Sequence, residues 1–172
     1  MRPTLQQLWT RLGVPADYAR ARHLPVQRVA RKLVMVGRAA DDGKTVRLTP
    51  RAAAAWQRMR AAAAVYGVDL RPISGYRSVA RQTRIIRRKL AEGEKIGDIL
   101  RLVAAPGCSE HHTGRAIDVG SPGHLQLDEH FARTAEYRWL RRHAGRFGFH
   151  LSYPRRNRHG IGYEPWHWCW RA

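Results

Sequence analysis

The sequence predicts an α+β domain: a small antiparallel sheet flanked by helices. Three observations carry the prediction. Helical patterning dominates the early chain, while short strand-like segments cluster late, in RAIDVG, GFHLSYP and GYEPWHWCW. Turn signals and loops separate these runs. Helices and strands segregated along the chain point to α+β rather than to repeating βαβ units.

The elements follow in order. Thr4 caps a short helix carrying Leu5, Leu8, Trp9 and Leu12, and Gly13 stops it. Residues 14–48 are less regular, but VQRVARKLVMVGRAADDGKTVRL holds an Asp42-Gly43 turn signal between apolar runs. Thr49-Pro50 is a helix start, with Thr as cap and Pro at the first position. The alanine-rich run Arg51 to Tyr66 predicts a helix ended by Gly67. VDLRPISG reads as a strand and Ser78 to Leu90 as a helix. Glu92 to Gly107 is expected to be a lid or connecting loop, with a short helix near Ile99 to Val103. RAIDVG is a short strand. Asp128 to Arg146 predicts one helix with Phe131, Ala135, Trp139 and Leu140 on one face. Two closing strands, GFHLSYP and GYEPWHWCW, are joined by the basic loop RRNRHG.

At 172 residues and 44% hydrophobic content the chain suits one domain, or one domain with a small appendage. Lys and Arg number 32 against 13 Asp and Glu, a formal charge of +19. Such an excess implies an anionic partner: nucleic acid, anionic lipid or the polyanionic bacterial envelope. An arginine-favouring genome would also suffice as its cause. Nucleic acid is disfavoured, because no basic block interleaves aromatics and no zinc-finger spacing occurs. Two cysteines, Cys108 and Cys169, make no disulfide framework. The N-terminal MRPTLQQLWTRLGVPADYAR shows no apolar signal core, and no run approaches the roughly 18 apolar residues of a membrane span. The expectation is a soluble monomer that works in the cytoplasm, is a mature form, or leaves by another route.

The chemistry concentrates in SEHHTGRAID, Ser109 to Asp118, and in YEPWHWCW near the C-terminus. Neighbouring side chains on an extended segment face opposite ways, so His111 and His112 are not expected to grip one ion. Catalytic zinc takes three protein ligands and leaves a position for water. His111 or His112, Asp118 and His167 are the candidates. Glu164, three residues before His167, is placed as a carboxylate near the ion but not bound to it. A hydrolase needs such a group to take a proton from water and pass it to the leaving amine. Each residue also has an ordinary role available: Asp118 as a turn residue, and His167 as a core histidine between Trp166 and Trp168.

SEHHTGRAID followed by YEPWH resembles the zinc D-alanyl-D-alanine carboxypeptidases of bacterial cell-wall metabolism, the vancomycin-resistance type. The family pattern Ser-x-His-x-x-Gly-x-Ala-x-Asp, then Glu-x-x-His, is met by Ser109, His111, Gly114, Ala116, Asp118, Glu164 and His167. SGYRSVARQ resembles the family's Ser-Gly-Tyr-Arg-Ser segment, and HAGRFGFHLSYP and IGYEPWH its closing strands. The likeness runs from about Leu48 to the end. It implies a 48–172 catalytic domain of hedgehog/DD-peptidase type, with residues 1–47 an extension expected to be helical and packed on it.

The resemblance further implies Zn2+ held by His111, Asp118 and His167, with His112 facing elsewhere. It implies Glu164 as general base and Arg77 facing the substrate carboxylate or the developing oxyanion. Ser109 is expected to hold the substrate or to support the His111 loop, and Gln82 to line the same substrate cleft. The implied partner is a peptidoglycan stem peptide at the cell envelope, and the implied product free D-alanine. The same group includes endolysin-like L-alanyl-D-glutamate endopeptidases, a second reading. A non-catalytic envelope or nucleic-acid binder is a third, opposed by the intact set of His111, Asp118, Glu164 and His167. Cys108 and Cys169 both fall within a few residues of these positions. They are expected near each other, as buried thiols, a disulfide or a further metal contact.

Overall fold

The structure, a computed structural model, describes residues 3–171. The elements are α1 (Leu5–Leu12), α2 (Tyr18–Ala21), β1 (Val34–Arg38), β2 (Thr45–Leu48), α3 (Pro50–Val65), β3 (Arg71–Ser74), α4 (Val79–Ala91), α5 (Ile96–Leu102), β4 (Ala116–Gly120), α6 (Ala135–His143), β5 (Phe149–Leu151) and β6 (His167–Trp170). Strands β1 and β2 form a separate hairpin. The main sheet has the order β3-β4-β6-β5, with every neighbouring pair antiparallel. The predicted α+β class stands.

Two apolar cores hold these elements. The first joins the main sheet to α3 and α6. Ala52, Ala55, Trp56, Met59 and Ala63 recur at helical spacing on α3 and are fully buried. Trp56 meets Phe149 of β5 edge-on at 6.4 Å. The second core gathers Trp9, Leu12, Tyr18 and Leu24 from the N-terminal segment. Against them pack Ile86 of α4, Ile99 and Leu100 of α5, and Ala105, Tyr153 and Ile161. Trp9 closes its polar edge by donating from Nε1 to the Pro106 carbonyl at 2.8 Å.

Several local expectations change. Asp128 to Arg146 is not one helix. Thr134 is extended, and its hydroxyl accepts from the Tyr137 N–H, so it starts α6 afresh after a short 3₁₀ turn at Glu129–Arg133. Phe131, Trp139 and Leu140 are buried, but Ala135 is exposed. Thr49 stands at the cap of α3 without a capping side-chain bond; its N–H donates to the Gly114 carbonyl instead. Not all strands come late, because the β1–β2 hairpin precedes α3. The 47/48 boundary falls inside β2, and Val36, Ala39 and Val46 belong to the first core. The closing strands are shorter than expected. Residues 152–166 are a loop, with Pro154 and Pro165 unable to donate to a ladder, so Glu164 lies before β6 rather than on it. Cys108 and Cys169 are free and buried.

Candidate active site

Three strands carry the centre of the site abreast. On the middle strand, Asp118 is in register with Ser74 of β3 on one side and His167 of β6 on the other. Strand β4 is buried along its whole length, so Asp118 is fixed on a rigid platform. His111 arrives from outside the sheet, on the 3₁₀ turn Glu110–Thr113. That turn ends at Gly114, whose φ of +64° favours glycine; a Cβ there would also lie 2.8 Å from Leu33 Cδ2.

Hydrogen bonds fix which ring nitrogens face inward. His111 Nδ1 lies 2.7 Å from the Gly75 carbonyl, which only accepts, so Nδ1 carries the proton. Nε2 is then the lone-pair atom, and it lies 3.2 Å from Asp118 Oδ2. For His167 the ring is turned the other way. Its Nε2 donates to Glu110 Oε2 at 2.9 Å, while Nδ1 faces Asp118 Oδ1 at 3.1 Å and Glu164 Oε2 at 3.8 Å. One donor atom each from His111, Asp118 and His167 therefore lies within 4.8 Å of the others. Two imidazoles and a carboxylate, each imidazole oriented by an acceptor on its other nitrogen, fit a catalytic zinc site.

His112 is turned away from this group. Its Nδ1 donates to the Arg77 carbonyl at 2.6 Å, and its Nε2 accepts the Gly107 N–H at 3.1 Å. Fully buried, it ties the Arg77 loop to the loop before the 3₁₀ turn.

Arg77 lies between β3 and α4. Its Nη1 donates to Gln82 Oε1 at 3.1 Å and its Nη2 to Ser74 Oγ at 3.3 Å, with Asp118 Oδ2 at 3.8 Å. The buried Nε has no partner among the described residues. Gln82 is spent internally: its Oε1 accepts from Arg77 and its Nε2 donates to the Ala104 carbonyl at 2.7 Å. It lines the cleft, yet both ends of its amide position other groups. Ser109 is buried in the wall beside His111.

The electrostatics separate the carboxylates. Burial pushes the Glu164 carboxyl up to about 7. Burial also acts against ionised Asp118, but His111 and then His167 override it and hold Asp118 below the ordinary carboxylate range. The same contest brings Glu110 down to about 2, its bond to His167 prevailing over burial. His111 is lowered by burial. A carboxyl near neutrality beside a firmly ionised one is the division of labour that general-base chemistry uses.

His111, Asp118, Glu164 and His167, with Arg77, Gln82 and Ser109, face one cleft of about 350 Å³, walled also by Val103, Ala104, Tyr153, Ile161 and Trp166. Two contributors escaped the sequence reading. Glu110, the acceptor that orients His167, occupies a variable position of the motif. Tyr153 packs its ring 5.0 Å from that of His167, and it lies in a stretch read only as strand.

A buried His-Asp-His group at the face of a small antiparallel sheet, with a carboxyl raised to about 7 beside it, is the arrangement of the metal-dependent hydrolases. Comparison with known proteins narrows the class. The family model of the VanY D-alanyl-D-alanine carboxypeptidases matches residues 45–172, and the chain belongs to this family. It is 40% identical over 121 residues to a putative carboxypeptidase, YodJ, of Bacillus subtilis, covering 67% of this chain and 43% of that protein. It is 36% identical over 127 residues to the bifunctional D-Ala-D-Ala dipeptidase and carboxypeptidase VanXYC of Enterococcus gallinarum, covering 71% of this chain and 66% of that one. Among solved structures, the LD-carboxypeptidase LdcB superposes with a TM-score of 0.75 at 32% identity, over 85% of this chain and 71% of that one. A VanY D,D-pentapeptidase in complex with Zn(II) superposes at 0.65 and 30% identity, over 86% of this chain and 82% of that one.

Proposed function

We propose that this chain is a zinc-dependent D-alanyl-D-alanine carboxypeptidase acting on peptidoglycan stem peptides. The observation that carries the reading is the buried donor set of His111, Asp118 and His167 beside a Glu164 carboxyl raised to about 7. His111, Asp118 and His167 would hold zinc, which would supply Lewis acidity for a peptide carbonyl and for a water whose pKa it would lower to about 7. Glu164 accepts the proton of the attacking water and delivers it to the leaving amine. Arg77, held by Gln82 and Ser74, presents its planar fork to the terminal carboxylate or to the oxyanion at the attacked carbonyl. Ser109 supports the His111 turn at the cleft wall.

The formal charge of +19 concentrates the enzyme on an anionic envelope, where its substrate lies, and added salt weakens that attraction. No described helix is long and apolar enough to cross a membrane.

The test is release of free D-alanine from a pentapeptide ending in D-Ala-D-Ala, using native protein, chelated protein and Glu164→Ala. Release that needs both the metal and Glu164 supports the carboxypeptidase. Two larger fragments in its place support an endopeptidase of the L-alanyl-D-glutamate type. The superposition on LdcB favours a second reading, removal of D-alanine that follows an L-centre. A tetrapeptide ending in a single D-Ala separates the two: cleavage of it, with the pentapeptide left intact, replaces the first reading by the second.

A further inference from the structure

The cleft extends beyond the His-Asp-His group along α4. Gln82 and Lys89 both line it, two turns apart on one face of the helix. At 1.5 Å per residue, Lys89 stands about 10 Å beyond Gln82. An extended peptide covers that distance in about three residues. Leu102, Val103 and Ile161 form the apolar lining of the cleft with it, and Arg77 holds the opposite, polar end.

The way α4 stops sets the place of Lys89. Gly93 adopts a φ of +88°; its N–H donates to the Leu90 carbonyl, and the Glu94 N–H to the Lys89 carbonyl, each at 3.0 Å. These are the two bonds of a Schellman motif, which brings the side chains flanking the turn into contact. That contact is usually apolar. Here Lys89 Nζ donates to Glu94 Oε1 at 2.8 Å, with side-chain exposures of 25% and 37%. A part-exposed ion pair stabilises a fold little, so stability does not account for a charged pair at this spot. An ammonium has three N–H donors, and Glu94 takes one of them.

We propose that Lys89, positioned by Glu94, selects substrates that carry a side-chain carboxylate on about the third residue counted from the end engaged by Arg77. The inference rests on the peptide-cleft reading above.

Two stem pentapeptides that differ only at the third residue test it: one with lysine there, one with diaminopimelate, which adds a carboxylate. Affinities are measured on zinc-loaded Glu164→Gln protein, so that no turnover intervenes. The diaminopimelate peptide is expected to bind about tenfold more tightly, as a charge-assisted hydrogen bond allows. Lys89→Met is expected to bring the ratio towards one, and Lys89→Arg to restore it. Equal binding of the two peptides, or a preference that survives Lys89→Met, overturns the proposal. Cleavage by the native protein is scored separately. Intact discrimination without cleavage upholds Lys89 and removes the peptidase reading.

Discussion

The two cores of this molecule serve the site differently. The first holds the sheet that bears Asp118 and His167, and its residues come mainly from the stretch that matches the family. The second is built from the N-terminal segment, α4, α5 and the loops at residues 103–108 and 153–161, and it carries much of the cleft wall. Arg22 shows how closely the second core grips those loops. Its Nη1 donates to the Gly160 carbonyl at 2.6 Å and to the Leu100 carbonyl at 3.2 Å, and His159 Nδ1 donates to the Arg22 carbonyl at 3.0 Å. One core thus fixes the reacting atoms, and the other fixes the space a substrate enters. Substitutions on the two sides are expected to separate metal and turnover from substrate affinity.

The largest effect belongs to the reacting side. Glu164→Gln removes the base while leaving His111, Asp118 and His167 in place. Turnover is expected to fall about a thousandfold, within the usual range for a lost general base. Zinc content by mass spectrometry of the native protein is expected to stay at one ion per chain. Lost zinc alongside lost turnover would make Glu164 a ligand instead of a base.

Glu110 comes next, as a positioning residue behind His167. Glu110→Gln replaces a carboxylate acceptor with an amide and weakens the orientation of the ring. Zinc affinity is expected to fall about 10- to 100-fold, the usual cost of losing such an outer partner. Competition with a chromogenic chelator measures it. Saturating zinc is expected to restore most of the turnover, which a change confined to the chemical step would not allow.

Much of the reacting side was legible in the sequence, because its residues occupy fixed motif positions and RAIDVG is a short apolar, strand-forming run around one aspartate. What escaped notice lies in groups that act through geometry. Glu110 carries no spacing signal of its own. Lys89 sits in a cationic helix where sequence alone does not single it out. The break at Thr134 was hidden by the periodicity of Phe131, Trp139 and Leu140, which share a core without sharing a helix. The extension was the least legible, since Trp9, Tyr18 and Arg22 have partners about 80 or more residues away in the chain, at Pro106, Ala105 and Gly160.

The cleft-wall side is tested by Arg22→Ala. The substitution leaves the Gly160 and Leu100 carbonyls without that donor and loosens the wall. The expected outcome is a KM raised several-fold with zinc affinity unchanged, and a stability loss of about 1–3 kcal/mol for hydrogen bonds to a charged group. Thermal unfolding and steady-state kinetics read the two effects. Weakened zinc binding would show that the two cores do not act separately.

The smallest effect is a pH dependence that reports the reacting side alone. Burial by itself would lower the His167 pKa, but its bonds to Asp118 and Glu110 raise it to about 10. A raised pKa means that the pairing stabilises fully below the unfolded value, about 6.5, and is lost as pH climbs towards 10. Glu164, raised to about 7, has the same sign, but most of its effect is spent by about pH 7. His111 is lowered and has the opposite sign, yet its contribution is complete near pH 6.5. Glu110 and Asp118 finish lower still. Chelated protein is therefore expected to lose thermal stability from about pH 7 to about pH 9, because folded His167 keeps a proton that the unfolded chain has already released. Zinc requires neutral His167, so the zinc-loaded protein is expected to hold a flatter profile over the same interval. Parallel slopes with and without metal would mean that His167 is not the group zinc engages, and would detach the sheet platform from the chemistry assigned to it.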